Sequence, residues 1–201
     1  HIDCCETLGR ATCICTDKTG TLTTNRMAVA KSWFGNEQFL QVPPLQDIGK
    51  ELIRAAGECI AVTSTATLEL QRTDDYERIS VLGNKTEGAL LMLSRYMGVE
   101  YERVRRQLGR LHFNTFTSDR KRTSTLVNNV NSKGLKTQAK RLYVTGAAEI
   151  VLRLCDFHLN MDGIRTTKLT DEKRAVLMDE VIGGFAKDGL RTIVLAYRVI
   201  E

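Results

Sequence analysis

An α+β fold, with a mainly antiparallel sheet flanked by helices, is what the order of apolar patterns predicts. The dipeptides Gly35-Asn36 and Asp162-Gly163 lie between short runs of alternating polarity, which is hairpin chemistry. Segments of helical period interrupt the strands without the regular alternation that a doubly wound sheet requires. The chain has 201 residues, 42% of them apolar, enough to bury one real core and perhaps a piece of a second domain.

Each element has its own signal. Residues 11–15 are a brief apolar run bounded by turn residues and read as a buried strand. Residues 27–34 and 39–42 flank Gly35-Asn36 as a hairpin, which Pro43-Pro44 ends. A helix over 47–60 follows from Ile48, Leu52, Ile53, Ala56 and Ile60, and a second over 84–97 from Leu90, Leu91, Leu93 and Met97. Residues 111–116 and 123–127 read as strands around the polar "TSDRKR", and 128–140 reads as an exposed loop. A strand over 141–144 runs into Gly146 and a helix over 147–155. Thr170, followed by Asp171 and Glu172, is a helix start with acidic residues at the positive dipole end. That helix should run to Lys187 and stop at Gly189, before a strand over 190–200.

Charge and cysteine usage narrow the function classes. The net charge of +5 comes from 29 basic and 24 acidic residues. Such a surface suits an anionic small molecule and falls short of a nucleic-acid coat, so no nucleic-acid partner is expected. Cysteines at 4, 5, 13, 15, 59 and 155 lack zinc-ligand spacing and read as reduced, partly buried thiols. No apolar run nears the roughly 18 residues of a membrane span. The chain should therefore be soluble and make no direct membrane contact. It starts without Met and ends inside an apolar strand pattern, as a segment excised from a longer protein would.

The stretch "CICTDKTGTLTTNRM" carries the chemistry. Asp17 follows a short apolar run, which is where α/β sheets place ligands. Lys18 offsets phosphate charge, Thr19 and Thr21 offer hydroxyls, and Gly20 lets the backbone approach an anion. A carboxylate there can attack a γ-phosphoryl group and hold it as an acyl phosphate, with magnesium neutralising the transferred charge. A plain polar turn uses the same residue types, so physics alone leaves the two readings even.

The intact D-K-T-G-T-L-T at positions 17–23 resembles the phosphorylation signature of the P-type ATPases. The resemblance implies that Asp17 is the phosphorylated nucleophile, that Lys18 and Thr19 contact the phosphoryl group, and that Asp17 and Thr19 help hold Mg2+ in the full-length parent. It further implies a nucleotide-binding domain over 25–201, truncated before its last strand, with 1–24 a fragment of the phosphorylation domain. "GNKTEGAL" looks like the segment whose glutamate reaches the adenine, giving Glu87. "FNTFTSDRKR" looks like the adenine platform, with Phe116 stacking on the base and Arg120 and Lys121 close by. "VTGAAEIVL" is similar to the family's K-G-A stretch, with Thr145 where lysine is expected and Gly146 after it. "DGLRTIVLAYR" gives Arg191 as a phosphate contact. ATP and Mg2+ are the implied ligands, and the implied partners are the rest of the pump: phosphorylation, actuator and transmembrane domains.

Taken singly, these residues are ambiguous. Phe116 ends a strand pattern and would ordinarily be core. Glu87 near a helix start would ordinarily be a dipole-satisfying surface carboxylate. Arg191 would ordinarily be an edge charge. Their order along the chain carries the functional reading.

The "CETLG" approach to the motif, "VLGNKTEGALL" and "TSTLV" are most similar to the plasma-membrane type of calcium pump. That places the chain at the cytosolic face of a multi-pass pump in the plasma membrane or an internal calcium-store membrane. The polypeptide alone is expected to bind ATP with little turnover. A pump for another ion, a haloacid-dehalogenase-like phosphohydrolase and a non-catalytic interaction module are the competing readings. The second of these expects D-x-D where Lys18 and Thr19 follow Asp17.

Overall fold

In a computed structural model the described residues are 9–40, 42, 44–72, 77–130 and 136–200. The centre is a four-stranded antiparallel sheet, in the order β10 (Ile193–Ile200), β7 (Lys136–Ala147), β6 (Arg122–Val130), β5 (Arg110–Asn114). Helix α1 (Lys50–Thr63) lies across it, with α2 (Lys85–Tyr96) and α3 (Tyr101–Leu108) stacked behind. Two-stranded hairpins decorate the edges: β1 (Ser32–Phe34) with β2 (Glu37–Phe39), β3 (Thr67–Arg72) with β4 (Glu77–Leu82), and β8 (Phe157–Leu159) with β9 (Thr166–Lys168). A short helix α4 (Ala148–Val151) follows β7. The helical run before β10 comprises α5 (Asp171–Val176), a wider turn (Leu177–Ile182) and α6 (Gly183–Lys187).

Local chemistry explains these boundaries. Gly35 and Asn36 both have positive φ (57° and 80°), which a two-residue turn needs to match the twist of β1 and β2. Asn84 caps α2, its Oδ1 accepting from the Thr86 and Glu87 N–H groups at 2.8 and 3.3 Å. Thr170 caps α5 by accepting from the Lys173 N–H at 3.2 Å.

The core forms where α1 meets the other layers. Ile60 and Leu91 are fully buried between α1 and α2, while Cys59, Val62, Val127 and Tyr143 fill the space between α1 and the sheet. The Cys59 thiol points at the Thr145 hydroxyl (3.4 Å), and burial pushes its pKa up from 9.0 to about 11. The folded state thus holds the neutral thiol while the unfolded chain ionises. Stability should begin to fall near pH 9 and be lower by about 2 kcal/mol on this account at pH 11. Urea unfolding across that range checks it, with Cys59→Ala losing this part of the slope. Alkylation of the native chain should label exposed Cys13 and Cys15 and spare Cys59.

The structure departs from the sequence reading in three places. Residues 11–15 are exposed and form no strand; residues 9–28 are all exposed, Val29 is the first partly buried one, and no described strand pairs with this apolar run. The expected 128–140 loop is instead mostly ladder, since β6 runs to Val130 and β7 begins at Lys136. Polar residues there occupy strand positions with solvent access. Cys13 and Cys15 are exposed where partial burial was expected. Pro43, residues 5–8 of the "CETLG" stretch, Cys4 and Cys5 lie outside the described residues.

Candidate nucleotide site

The end of the β6–β7 ladder gathers most of the residues singled out from sequence. β6 pairs with β7 so that Arg122 faces Gly146 and Thr123 faces Thr145. Just before β6, the connection from β5 turns tightly: the Lys121 N–H donates to Thr117 O at 2.7 Å and Lys121 adopts φ +50°. The Ala147 N–H donates to Lys121 O at 3.0 Å. Gly146 permits this approach, because a Cβ there would stand 2.4 Å from Lys121 O.

Phe116 projects from that turn and is 55% exposed. Strand β5 ends at Asn114, so the ring is not core, and burial does not explain it. Arg120 is held beside it, donating through Nη1 to Thr115 O and through Nη2 to Ser124 Oγ, each at 3.3 Å. Lys121 Nζ lies 3.9 Å from Glu149. Aromatic face and cations share one edge, the combination that suits a purine with its phosphates.

Thr145 is turned toward α1. Its hydroxyl is 2.8 Å from that of Thr63, the last residue of the helix. The next residues, 64–66, are clamped from two sides. Glu87 Oε2 accepts from the Thr65 and Ala66 N–H groups (2.6 and 3.0 Å) and from the Ser64 and Thr65 hydroxyls (both 3.1 Å). On the carbonyl side, Arg105 donates to Ala61 O, Ser64 O and Ala66 O at 2.8 to 3.0 Å, and Arg110 also donates to Ser64 O. Glu87 is therefore an acceptor that fixes the α1–β3 connection, more than a surface carboxylate. Arg105 and Arg110 have no motif to announce them; only the structure reveals their part.

Arg191 completes the group. It stands two residues before β10, which pairs with β7 through Ile193 opposite Ala147 and Val194 opposite Gly146. Its Nη1 donates to Thr86 Oγ1 at 2.9 Å, next to Glu87. Glu87, Phe116, Arg120, Lys121, Thr145, Gly146 and Arg191 thus form one connected neighbourhood from four distant parts of the chain.

The D-K-T-G-T loop is held by bonds of its own. Lys18–Leu22 form one irregular turn, with Thr19 extended and Gly20 at φ +86°. The Gly20 N–H donates to Thr23 Oγ1 at 3.1 Å, and the Thr16 hydroxyl donates to Asp17 O at 3.2 Å. Asp17, Lys18 and Thr19 are exposed, and these bonds are internal to the loop. A cleft of about 440 Å³ between the Gly35-Asn36 turn and the β8–β9 hairpin, edged by His158, Lys168 and Lys173, contains none of the singled-out residues.

An antiparallel sheet whose edge presents an exposed aromatic ring, several cations and a glutamate held by backbone N–H groups is consistent with a nucleotide-binding domain of the P-type ATPase kind. Residues 51–201 match the family model described as P-type ATPase, cytoplasmic domain N, and the chain belongs to that family. It is 36% identical to the plasma membrane calcium-transporting ATPase mca-1 of Caenorhabditis elegans, over 100% of this chain and 16% of that protein. It is also 36% identical to plasma membrane calcium-transporting ATPase 3 of Homo sapiens, over 98% of this chain and 16% of that protein. A putative plasma membrane-type calcium-transporting ATPase 11 of Arabidopsis thaliana is 35% identical, with 100% of this chain and 19% of the relative covered. The chain spans less than a fifth of the length of these relatives. Among the described residues, no helix is long and apolar enough to cross a membrane.

Proposed function

We propose that this chain is the ATP-binding portion of an ATP-driven calcium pump, with Asp17 as the residue phosphorylated in the complete protein. The observation that carries the reading is the convergence of Glu87, Phe116, Arg120, Lys121, Gly146 and Arg191 at one end of the sheet. The adenine stacks on Phe116. Glu87 Oε1, the oxygen that the four donors to Oε2 do not use, accepts from the adenine amino group. Arg120, Lys121 and Arg191 face the phosphates. Residues 25–201 make up this domain, and residues 1–24 belong to the phosphorylation domain.

In the transfer step a carboxylate oxygen of Asp17 bonds to the γ-phosphorus, and the β–γ bridging P–O bond breaks with its electron pair leaving on ADP. Lys18 and Thr19 orient the transferred group. Magnesium prefers oxygen donors and usually takes one or two carboxylates together with phosphate oxygens. Asp17 and Thr19 are hard donors of that type, though they supply only part of such a shell. When bound, the ion would neutralise the phosphoryl charge. The remainder of the pump supplies the membrane passage, the actuator and the other part of the phosphorylation domain. The parent membrane is the plasma membrane or an internal calcium store, by analogy with relatives named for the former.

Thr145 supplies a hydroxyl, already engaged with Thr63, where relatives of this family place a lysine charge. Affinity for ATP should accordingly be modest. Calorimetric titration tests the assignment. Phe116→Ala removes a base-stacking contact of about 1–3 kcal/mol and should weaken ATP roughly 5- to 150-fold without lowering the melting temperature. Thr145→Lys should strengthen it. Unchanged ATP affinity in Phe116→Ala would refute the site.

A further inference from the structure

Thr86 is the side chain that joins the proposed phosphate arginine to the segment leading from the Asp17 loop. Its hydroxyl accepts from Arg191 Nη1 at 2.9 Å and donates to Met27 Sδ at 3.6 Å. Its own N–H is fixed by the Asn84 cap, so the residue sits on the rigid first turn of α2. A second tie lies close by: Lys31 Nζ reaches Asp188 Oδ2 at 2.5 Å, and Asp188 is three residues before Arg191, across Gly189 at φ +73°. Met27 and Lys31 flank the entry from the D-K-T-G-T loop into β1. The Lys31 anchor therefore falls on the segment that presents Arg191, and the Met27 anchor reaches Arg191 through Thr86.

We propose that Thr86 is a positioning residue that couples charge at Arg191 to the segment connecting the Asp17 loop with the nucleotide-binding fold. The inference rests on the assignment of Arg191 to the phosphates. A hydroxyl carries one proton, so an incoming N–H on its lone pair directs that proton elsewhere, here toward the Met27 sulfur. A guanidinium bonds more strongly to an anionic phosphate oxygen than to a neutral hydroxyl. A polyphosphate at Arg191 therefore withdraws the donor that orients Thr86, and the Met27 contact loosens. Adenosine has no phosphate and leaves Arg191 on Thr86. The device reads the phosphates, not the base.

The experiment is methyl NMR on the whole chain with labelled methionines. Five methionines give five signals, and Met27→Leu assigns the relevant one. Saturating ATP should shift the Met27 methyl signal, and saturating adenosine should leave it in place. Thr86→Val, similar in shape but without the hydroxyl, should lose most of the ATP response, and Thr86→Ser should restore it. Arg191→Gln, without any nucleotide, should shift Met27 in the parent chain and do nothing in a Thr86→Val background. An ATP response that persists in Thr86→Val overturns the coupling, as does a Met27 signal that stays fixed while ATP saturates other signals. Failure of ATP to bind at all would instead overturn the nucleotide reading. The Arg191→Gln comparison then still decides the link, since a silent Met27 refutes it.

Discussion

On the proposed function, Asp17→Asn should abolish the acid-stable, hydroxylamine-sensitive phosphate adduct in the complete protein. An amide oxygen is a far poorer nucleophile than a carboxylate, and loss of a covalent nucleophile costs on the order of 10⁶ in rate. The structure separates this effect from misfolding. Asp17 is exposed, and the bonds that shape its loop use its backbone carbonyl, the Gly20 N–H and the Thr23 hydroxyl. Removing the charge should therefore change stability by no more than about 0.5 kcal/mol. ATP affinity should hold or improve slightly, because one negative charge near the γ-phosphate is gone. Trapping radioactive phosphate with the parent and the variant, beside an ATP titration of each, makes the comparison. Undiminished labelling in Asp17→Asn would remove Asp17 from the mechanism.

Arg141→Met should destabilise the domain by about 3–5 kcal/mol. The cause is a buried ionic cluster between α1 and β7. Glu58, only 6% exposed, accepts through Oε2 from the Tyr143 hydroxyl at 2.5 Å and from Arg141 Nη1 at 3.1 Å. Arg54 is 3.9 Å from the other carboxylate oxygen and lies nearer solvent. Burial, with the Glu58 charge, holds the Tyr143 phenol well above its ordinary pKa, so it stays a neutral donor. Without Arg141 the carboxylate keeps a phenol and a distant guanidinium, too little to replace the solvation it gave up. The double variant Glu58→Met, Arg141→Met should recover part of the loss, since it removes the stranded charge. Denaturant unfolding of the parent, Arg141→Met, Glu58→Met and the double variant measures this, and an Arg141→Met loss below about 1 kcal/mol would show that the cluster is not the strut described here.

The sequence was most informative where one residue type has one physical use. Gly35-Asn36 names its own turn through positive φ, and Thr170 announces a helix start through its cap. The α1 stripe of Leu52, Ala56 and Ile60 predicts the buried face, with the helix ending three residues later than its apolar period suggests. Helix α3 and the β3–β4 hairpin are harder to read. α3 buries only Tyr101 and Leu108 of eight residues, and charged side chains cover most of the rest. Its role depends on Arg105 reaching carbonyls more than thirty residues earlier in the chain, which no local pattern encodes. Residues 11–15 failed in the opposite direction, because an apolar run becomes a buried strand only when neighbours pair with it.

At the candidate site, order along the chain nominated the residues and folding supplied their relation. Phe116, ambiguous as a sequence position, is not core: β5 ends two residues earlier and the ring is exposed. Glu87 has a larger structural part than its motif suggested, because it holds the 64–66 connection. Thr86 had no signal apart from its neighbour. Its importance comes from two hydrogen bonds to residues 59 and 105 positions away.

The measurement that bears most directly on the central claim is where the adenine lies. Isotope-filtered nuclear Overhauser spectra of the chain saturated with ATP should show contacts between the adenine protons and the ring protons of Phe116, assigned by their loss in Phe116→Ala. Adenine contacts to His158 and the β8–β9 cleft, with none to Phe116, would contradict the account.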